Sequence, residues 1–309
     1  NKMFSSELYK GAMTIYDVSD KQIIKSIASQ GTPNSFTHNI WINDAATVAF
    51  TTDERANAPV TAFDISNPSQ IVELDQFRPL ATIGAGVIPH NVHVKNDWLV
   101  ISYYTDGAIL VDASRPTNLI EVGNWDTYPN QVTGFNGAWG AYPFLPSGLV
   151  LISDINSGLF VCKANYLRAC WLEGIVTNSA SGKPILGAGV NIKSNQVNQA
   201  SSGVNGHYET GQAASGVFEV VFSAKGFYSK TVTAPLANGV LTILNVSLDP
   251  LPLVSLSGQT NSKESGVVPF SKIILVHSQG QFSTSSDAEG NFKFNSIYAG
   301  NYSVYAGAW

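Results

Sequence analysis

Short apolar runs closed by Asp, Asn, Gly or Pro recur along the whole chain, and they follow two different rulers. In the first half, AMTIYDVSDKQIIKSI, PVTAFDISNPSQIVEL and AILVDASRPTNLIEVG each place apolar residues ahead of an Asp, then a Ser, then an apolar pair. The anchoring residues Asp17, Asp64 and Asp112 stand 47 and 48 positions apart. Between them recur HNIWINDAATVAFTTD and HNVHVKNDWLVISYYTD, with His38 and His90 separated by 52. A third version, GAWGAYPFLPSGLVLISD, has a longer hairpin and puts Gly137 in the His position. Runs this short are strands, and a unit of about 50 residues with three or four of them is a propeller blade. The repeated Asp and Ser then belong to a turn, where their side chains cap backbone N–H groups as pairing stops.

The second half repeats at a spacing of 84: Gly174, Gly206 and Gly216 return as Gly258, Gly290 and Gly300, with LEGIVT matched by LSGQTN and NGHYET by EGNFKF. Alternation such as Val-Phe-Glu-Val-Val-Phe marks half-buried strands, and about seven of them in about 80 residues make a small β-sandwich. The expected fold is therefore all-β, a partial β-propeller over residues 1–168 followed by tandem sandwiches over 169–250 and 254–309. A Pro-stiffened linker, Asp249-Pro250-Leu251-Pro252-Leu253, strings these modules in line. The offset maps Trp309 onto Lys225, so the second sandwich is expected to lack its last strands, and the chain to be an excerpt of a longer polypeptide.

Composition narrows the partners. Only 13% of residues are charged and the net charge of -5 is scattered, so nucleic acid and anionic membrane surfaces are not expected partners. No apolar run approaches the roughly 18 residues of a membrane span, so no membrane insertion is expected. The chain opens at Asn1-Lys2 with neither an initiator Met nor a leader, which is read as a mature or truncated start. Cys162 and Cys170 fit either a short-loop disulfide or two unrelated small apolar residues. A bridge tying the last propeller strand to the first sandwich is the expectation carried forward.

FDISNPSQIVELD and LVDASRPTNLIEVG resemble LVIVD-repeat propellers. HNIWINDAATVAFTTDE, IPHNVHVKNDWLVISYYTDGAILVD and GFNGAWGAYPFLPSGLVLISDINSGLFV resemble, more specifically, the choice-of-anchor B family of bacterial surface proteins. Residues 171–250, from LEGIVTNSASGKPILGAGVNI through GFYSKTVTA, are similar to the carboxypeptidase regulatory-like module, a transthyretin-like sandwich. These resemblances imply a secreted or cell-surface protein of Bacteroidetes type, in which a C-terminal sorting domain, absent from this sequence, engages the type IX secretion machinery. They transfer no catalytic residues, and regulatory-like modules accompany adhesins and receptors as well as peptidases.

For chemistry, His38, His90 and His93 are the metal candidates, since imidazoles at repeated strand starts can converge on a propeller axis. Against this, His90 and His93 should face opposite sides of a strand, and their repeat equivalents are Gly137 and Trp41. A structural His-Asn pair satisfying backbone groups at the blade mouth is the preferred reading, with no catalytic, cofactor or metal residue assigned. Asp53, Glu54 and Asp106 read as solvated hairpin ends, and Asp287-Ala288-Glu289-Gly290-Asn291 as a hairpin turn rather than a calcium loop. No hydrolase elbow, zinc-protease helix, phosphate loop or dinucleotide fingerprint is present. The aromatics Trp41, Trp98, Tyr103, Tyr104, Trp125, Tyr128, Trp139 and Tyr142 gather in the propeller part, mostly as core. Trp139 and Tyr142, which break the repeat, are the expected contact surface. The function expected is recognition or adhesion at a bacterial surface, the propeller face binding a protein or glycan and the sandwiches serving as spacers. The alternatives are a propeller-based metal-assisted hydrolase and an architectural subunit of a surface assembly.

Overall fold

The computed structural model describes residues 1–129 and 133–307. Among them the chain is all-β, with a single 3-10 turn at Leu80–Thr82. The first half forms four antiparallel meanders in chain order. They are β1 (Lys2–Glu7), β2 (Ala12–Asp17) and β3 (Lys25–Gly31); β4 (Thr37–Ile42), β5 (Val48–Asp53), β6 (Val60–Asp64) and β7 (Val72–Phe77); β8 (Val92–Lys95), β9 (Trp98–Ser102), β10 (Ala108–Asp112) and β11 (Ile120–Trp125); and β12 (Ala138–Tyr142), β13 (Leu149–Asp154) and β14 (Gly158–Lys163). Successive meanders pack through their inner strands, as propeller blades do.

The repeated Asp performs its expected task. Asp17, Asp64 and Asp112 each accept, through Oδ1, the backbone N–H of the Ser two residues on, at 2.9, 2.8 and 3.0 Å. Asp154 does the same for Asn156 N–H at 2.8 Å. Between the second and third meanders lies a dry core of Phe50, Val60, Val92, Leu99, Ile101, Tyr103 and Ile109. Each fully buried large side chain there contributes roughly 1.5 to 3 kcal/mol relative to exposure.

Register fixes which inner-strand residues are equivalent. Thr37 pairs Asp53 and Asn39 pairs Thr52, leaving His38 in a bulge. Ala138 pairs Asp154 and Gly140 pairs Ser153, leaving Trp139 in the same bulge. His90 and Asn91 both bond Ser102 through the backbone, which places His90 there as well. The residue equivalent to the histidines is therefore Trp139 and not Gly137. Gly137 instead sits just ahead of β12 at φ +84°, where a Cβ would lie 2.4 Å from Tyr104 O.

The first sandwich packs β15 (Cys170–Asn178), β18 (His207–Gln212), β21 (Leu241–Ile243) and β22 (Val246–Leu248) on a sheet of β16 (Gly189–Ile192), β17 (Ala200–Ser201), β19 (Gly216–Ser223) and β20 (Lys230–Leu236). Leu172, Val190, Tyr208, Val220 and Phe222 fill its interior. The second contains β23 (Leu253–Gln259), β24 (Asn261–Ser262), β25 (Gly266–Val267), β26 (Lys272–His277), β27 (Gly280–Ser285), β28 (Asn291–Tyr298) and β29 (Ser303–Gly307). It follows the first at the 84-residue offset, around a smaller core of Ile273, Leu275, Phe294 and Ile297. Trp309, which that offset pairs with Lys225, lies outside the described residues.

Two expectations need correction. The first sandwich is not simply strung behind the propeller. Trp171 of β15 is buried among Val100, Leu110 and Ile152 of the third and fourth meanders and donates its indole N–H to Asn118 O at 3.1 Å. Arg115 pairs with Glu173 at 2.7 Å, and Asp112 accepts both Arg168 and the backbone N–H of Ala169. Nor do the cysteines bridge: both are free thiols. Cys170 packs in the sandwich core, whereas Cys162 packs with the propeller-side residues around Trp171. The short sequence interval concealed that they belong to different hydrophobic clusters.

Candidate functional site: two tiers of rings on the propeller face

The bulge aims three equivalent side chains from successive inner strands at one another, a known use of bulges. His38 and His90 lie ring to ring at 4.2 Å, and His90 and Trp139 at 5.1 Å. Each histidine also reaches the next blade's backbone. His38 Nδ1 donates to His90 O at 3.1 Å, and His90 Nδ1 to Trp139 O. A hydroxyl from the neighbouring strand shares each acceptor: Thr52 Oγ1 donates to His90 O at 2.6 Å and Ser102 Oγ to Trp139 O at 3.1 Å. Ser6, the equivalent residue of β1, donates to His38 O at 3.0 Å. Because a carbonyl only accepts, both rings carry a proton on Nδ1, which leaves Nε2 as the ring nitrogen turned away from the backbone.

Glu54 and Tyr104 complete this upper tier. Tyr104 donates its hydroxyl to Glu54 Oε1 at 2.6 Å, and the same oxygen lies 3.6 Å from His90 Nε2. Burial, and secondarily the neighbouring His38, hold the His90 pKa below its ordinary value, so the imidazole is neutral at neutral pH. Burial and then the bond to Glu54 push the Tyr104 hydroxyl upward, keeping it a donor.

Three residues further along the same strands sits a lower tier. Trp41 and His93 lie 4.8 Å apart, His93 and Tyr142 6.1 Å. Phe144, from the insert YPFLPSG, packs on Trp41 at 5.6 Å, nearly parallel, and on His93 and Tyr142 at 5.8 and 5.5 Å. Lys95 Nζ pins that insert through Pro143 O at 2.7 Å. Despite these contacts Trp41 is 38% exposed and Tyr142 46%, while His93 is half-buried against the Ala141 backbone with its Nδ1 closed off from the surface. An aromatic shelf of this kind can stack on a flat apolar face.

The carboxylates read as solvated hairpin ends are not solvated. Asp53 is 2% exposed and accepts Thr32 Oγ1 and the N–H groups of Asn34 and Phe36, which fixes the loop entering β4. Asp106 is buried and accepts Thr82 Oγ1. Asp287 is the expected turn former, capping the N–H groups of Glu289 and Asn291. Tyr103 and Tyr104 are core, whereas Trp139, at 53% exposure, borders the upper tier. A second cluster, Glu173, His207 and Glu209, joins the modules, with Glu173 committed to Arg115 and Asn118.

With the geometry described, the likenesses to known proteins can be placed on it. No curated protein matches the sequence. Among solved structures, the Bacillus anthracis TIE protein aligns with 12% identity and a TM-score of 0.26, covering 52% of this chain and 34% of that one, so this chain spans about a third of its length. A streptococcal ancillary pilin aligns with 9% identity and a TM-score of 0.36, covering 79% and 74%. A candidate 6-phosphogluconolactonase from Bacteroides fragilis aligns with 12% identity and a TM-score of 0.40, covering 92% and 80%. Two family models match: residues 89–127 match the LVIVD repeat, over the third meander and both its tier residues, and residues 172–249 match the carboxypeptidase regulatory-like domain, over the first sandwich.

Proposed function

We propose that this is an exported recognition protein of a bacterial surface, whose propeller face binds a carbohydrate through the Trp41–His93–Tyr142–Phe144 shelf while the sandwiches act as spacers. The shelf carries the reading: Trp41 and Tyr142 remain substantially exposed although they pack on His93 and Phe144. A sugar ring has an apolar C–H face for stacking on such a shelf, whereas a protein partner would favour a broader apolar patch. Binding rather than turnover is supported by the two matched families, which are non-enzymatic module types. Surface location rests on the resemblance to choice-of-anchor B proteins; the free thiols lend an oxidising compartment no support. Surface labelling of intact source cells tests that location, and labelling only after lysis overturns it. The ligand class is tested on a glycan array with the full chain. Trp41→Ala and Tyr142→Ala should each weaken retention about 10-fold or more. Absence of any retained glycan, or retention indifferent to both variants, overturns the reading.

A further inference from the structure

We propose that the upper tier is a binding site for a divalent d-block cation, zinc being the representative, held by Nε2 of His38, Nε2 of His90 and the carboxylate of Glu54. The ligand atoms of these three residues all lie within 4.8 Å of one another. The His90 Nε2 to Glu54 Oε1 separation of 3.6 Å is close to the roughly 3.4 Å between donors on a tetrahedral zinc with bonds near 2.1 Å. Each Nδ1–H is tied to a backbone carbonyl, the outer hydrogen bond that fixes the tautomer and raises the basicity of a metal-bound imidazole.

Neither Nε2 takes part in a hydrogen bond among the described residues, and Glu54 keeps lone pairs beyond the one that Tyr104 occupies. Two imidazoles and one carboxylate suit zinc and its neighbours over calcium or magnesium, which favour all-oxygen sites. Asp53, adjacent in sequence, cannot join because its oxygens serve the loop before β4. Three protein ligands leave a coordination position for a fourth donor from solvent or from a ligand lying across the face.

The experiment is calorimetric titration of the chelator-treated full chain with Zn²⁺ at neutral pH, with Co²⁺ absorption as a report of geometry. One equivalent should bind, with Co²⁺ giving tetrahedral or five-coordinate bands. Glu54→Gln, which keeps the shape and the Tyr104 bond, should weaken binding about 100-fold or more, and Tyr104→Phe, an outer partner, about 10-fold. His207→Gln, in the other cluster, should bind as the parent does. Absence of zinc uptake, uptake unchanged by Glu54→Gln and His38→Gln together, or loss confined to His207→Gln overturns the site. If His38→Gln does not fold, Glu54→Gln alone decides, since it removes a charge without removing an inter-blade bond.

Discussion

The two tiers occupy equivalent positions on the same three strands, three residues apart, yet they do different work. The upper tier spends its polar groups on the next blade: ring N–H and hydroxyl converge on His90 O and again on Trp139 O. In the lower tier the rings touch mainly one another and Phe144. Repetition in a fold of this kind marks what every blade needs to hold its neighbour, and departure from repetition marks what one face needs for a partner. His38, His90, Thr52 and Ser102 are the repeated set, and Tyr142 and Phe144 the departures.

The comparison breaks first at His90. His90→Ala removes a fully buried ring and leaves Trp139 O with Ser102 alone, so it should lower unfolding stability by about 2 to 4 kcal/mol in urea titration. An effect no larger than that of Trp41→Ala, whose ring is partly exposed, would erase the distinction between the tiers. Thr52→Val keeps the shape but removes one hydroxyl from His90 O, and about 1 to 2 kcal/mol is expected.

Titration sharpens the same contrast. Burial holds the pKa of both His90 and His93 below the ordinary 6.5, so the unfolded chain takes up protons that the folded chain resists. The stability these neutral rings contribute is full above about pH 6.5 and declines as pH falls toward the folded values. Glu121 works in the opposite direction, because burial raises it from 4.5 to about 7 and its contribution is lost as pH rises through that value. The raised carboxyls of Asp75, Asp106 and Glu209 act in the same direction as Glu121, so the histidine contribution is read as a difference: the urea midpoint should change less favourably toward acid from pH 7 to 5 in the parent than in His93→Gln, and identical changes would contradict a neutral buried His93. The smallest effect belongs to Trp139→Ala: the backbone carbonyl, not the exposed indole, is the inter-blade acceptor, and the change should stay within about 1 kcal/mol.

Much of this was legible in the sequence because strands and turns are local. The spacing of Asp17, Asp64 and Asp112 found the blades, and the paired Gly206 and Gly290 found the sandwich hairpins, where φ is +76° and +73°. The site was legible only in part. His38 and His90 stood out as a repeated pair, but the bulge hides from any linear alignment that Trp139 is their third member. Glu54 appeared to be a hairpin end because its partner Tyr104 lies 50 residues on, in the next blade. Phe144 was hidden in an insert whose fold over the shelf depends on Lys95 and Pro143, not on local pattern.

The most direct test of the division between tiers sets Trp41→Ala beside His38→Gln, each measured twice with chelator present, once for urea unfolding and once by titration with the tightest saccharide from the glycan array. The expected outcome is a crossing: Trp41→Ala loses the saccharide and keeps most of its stability, while His38→Gln loses stability and, where folded, binds as the parent does. If His38→Gln instead loses the saccharide at unchanged stability, or Trp41→Ala unfolds readily and binds normally, the tiers have been assigned the wrong roles.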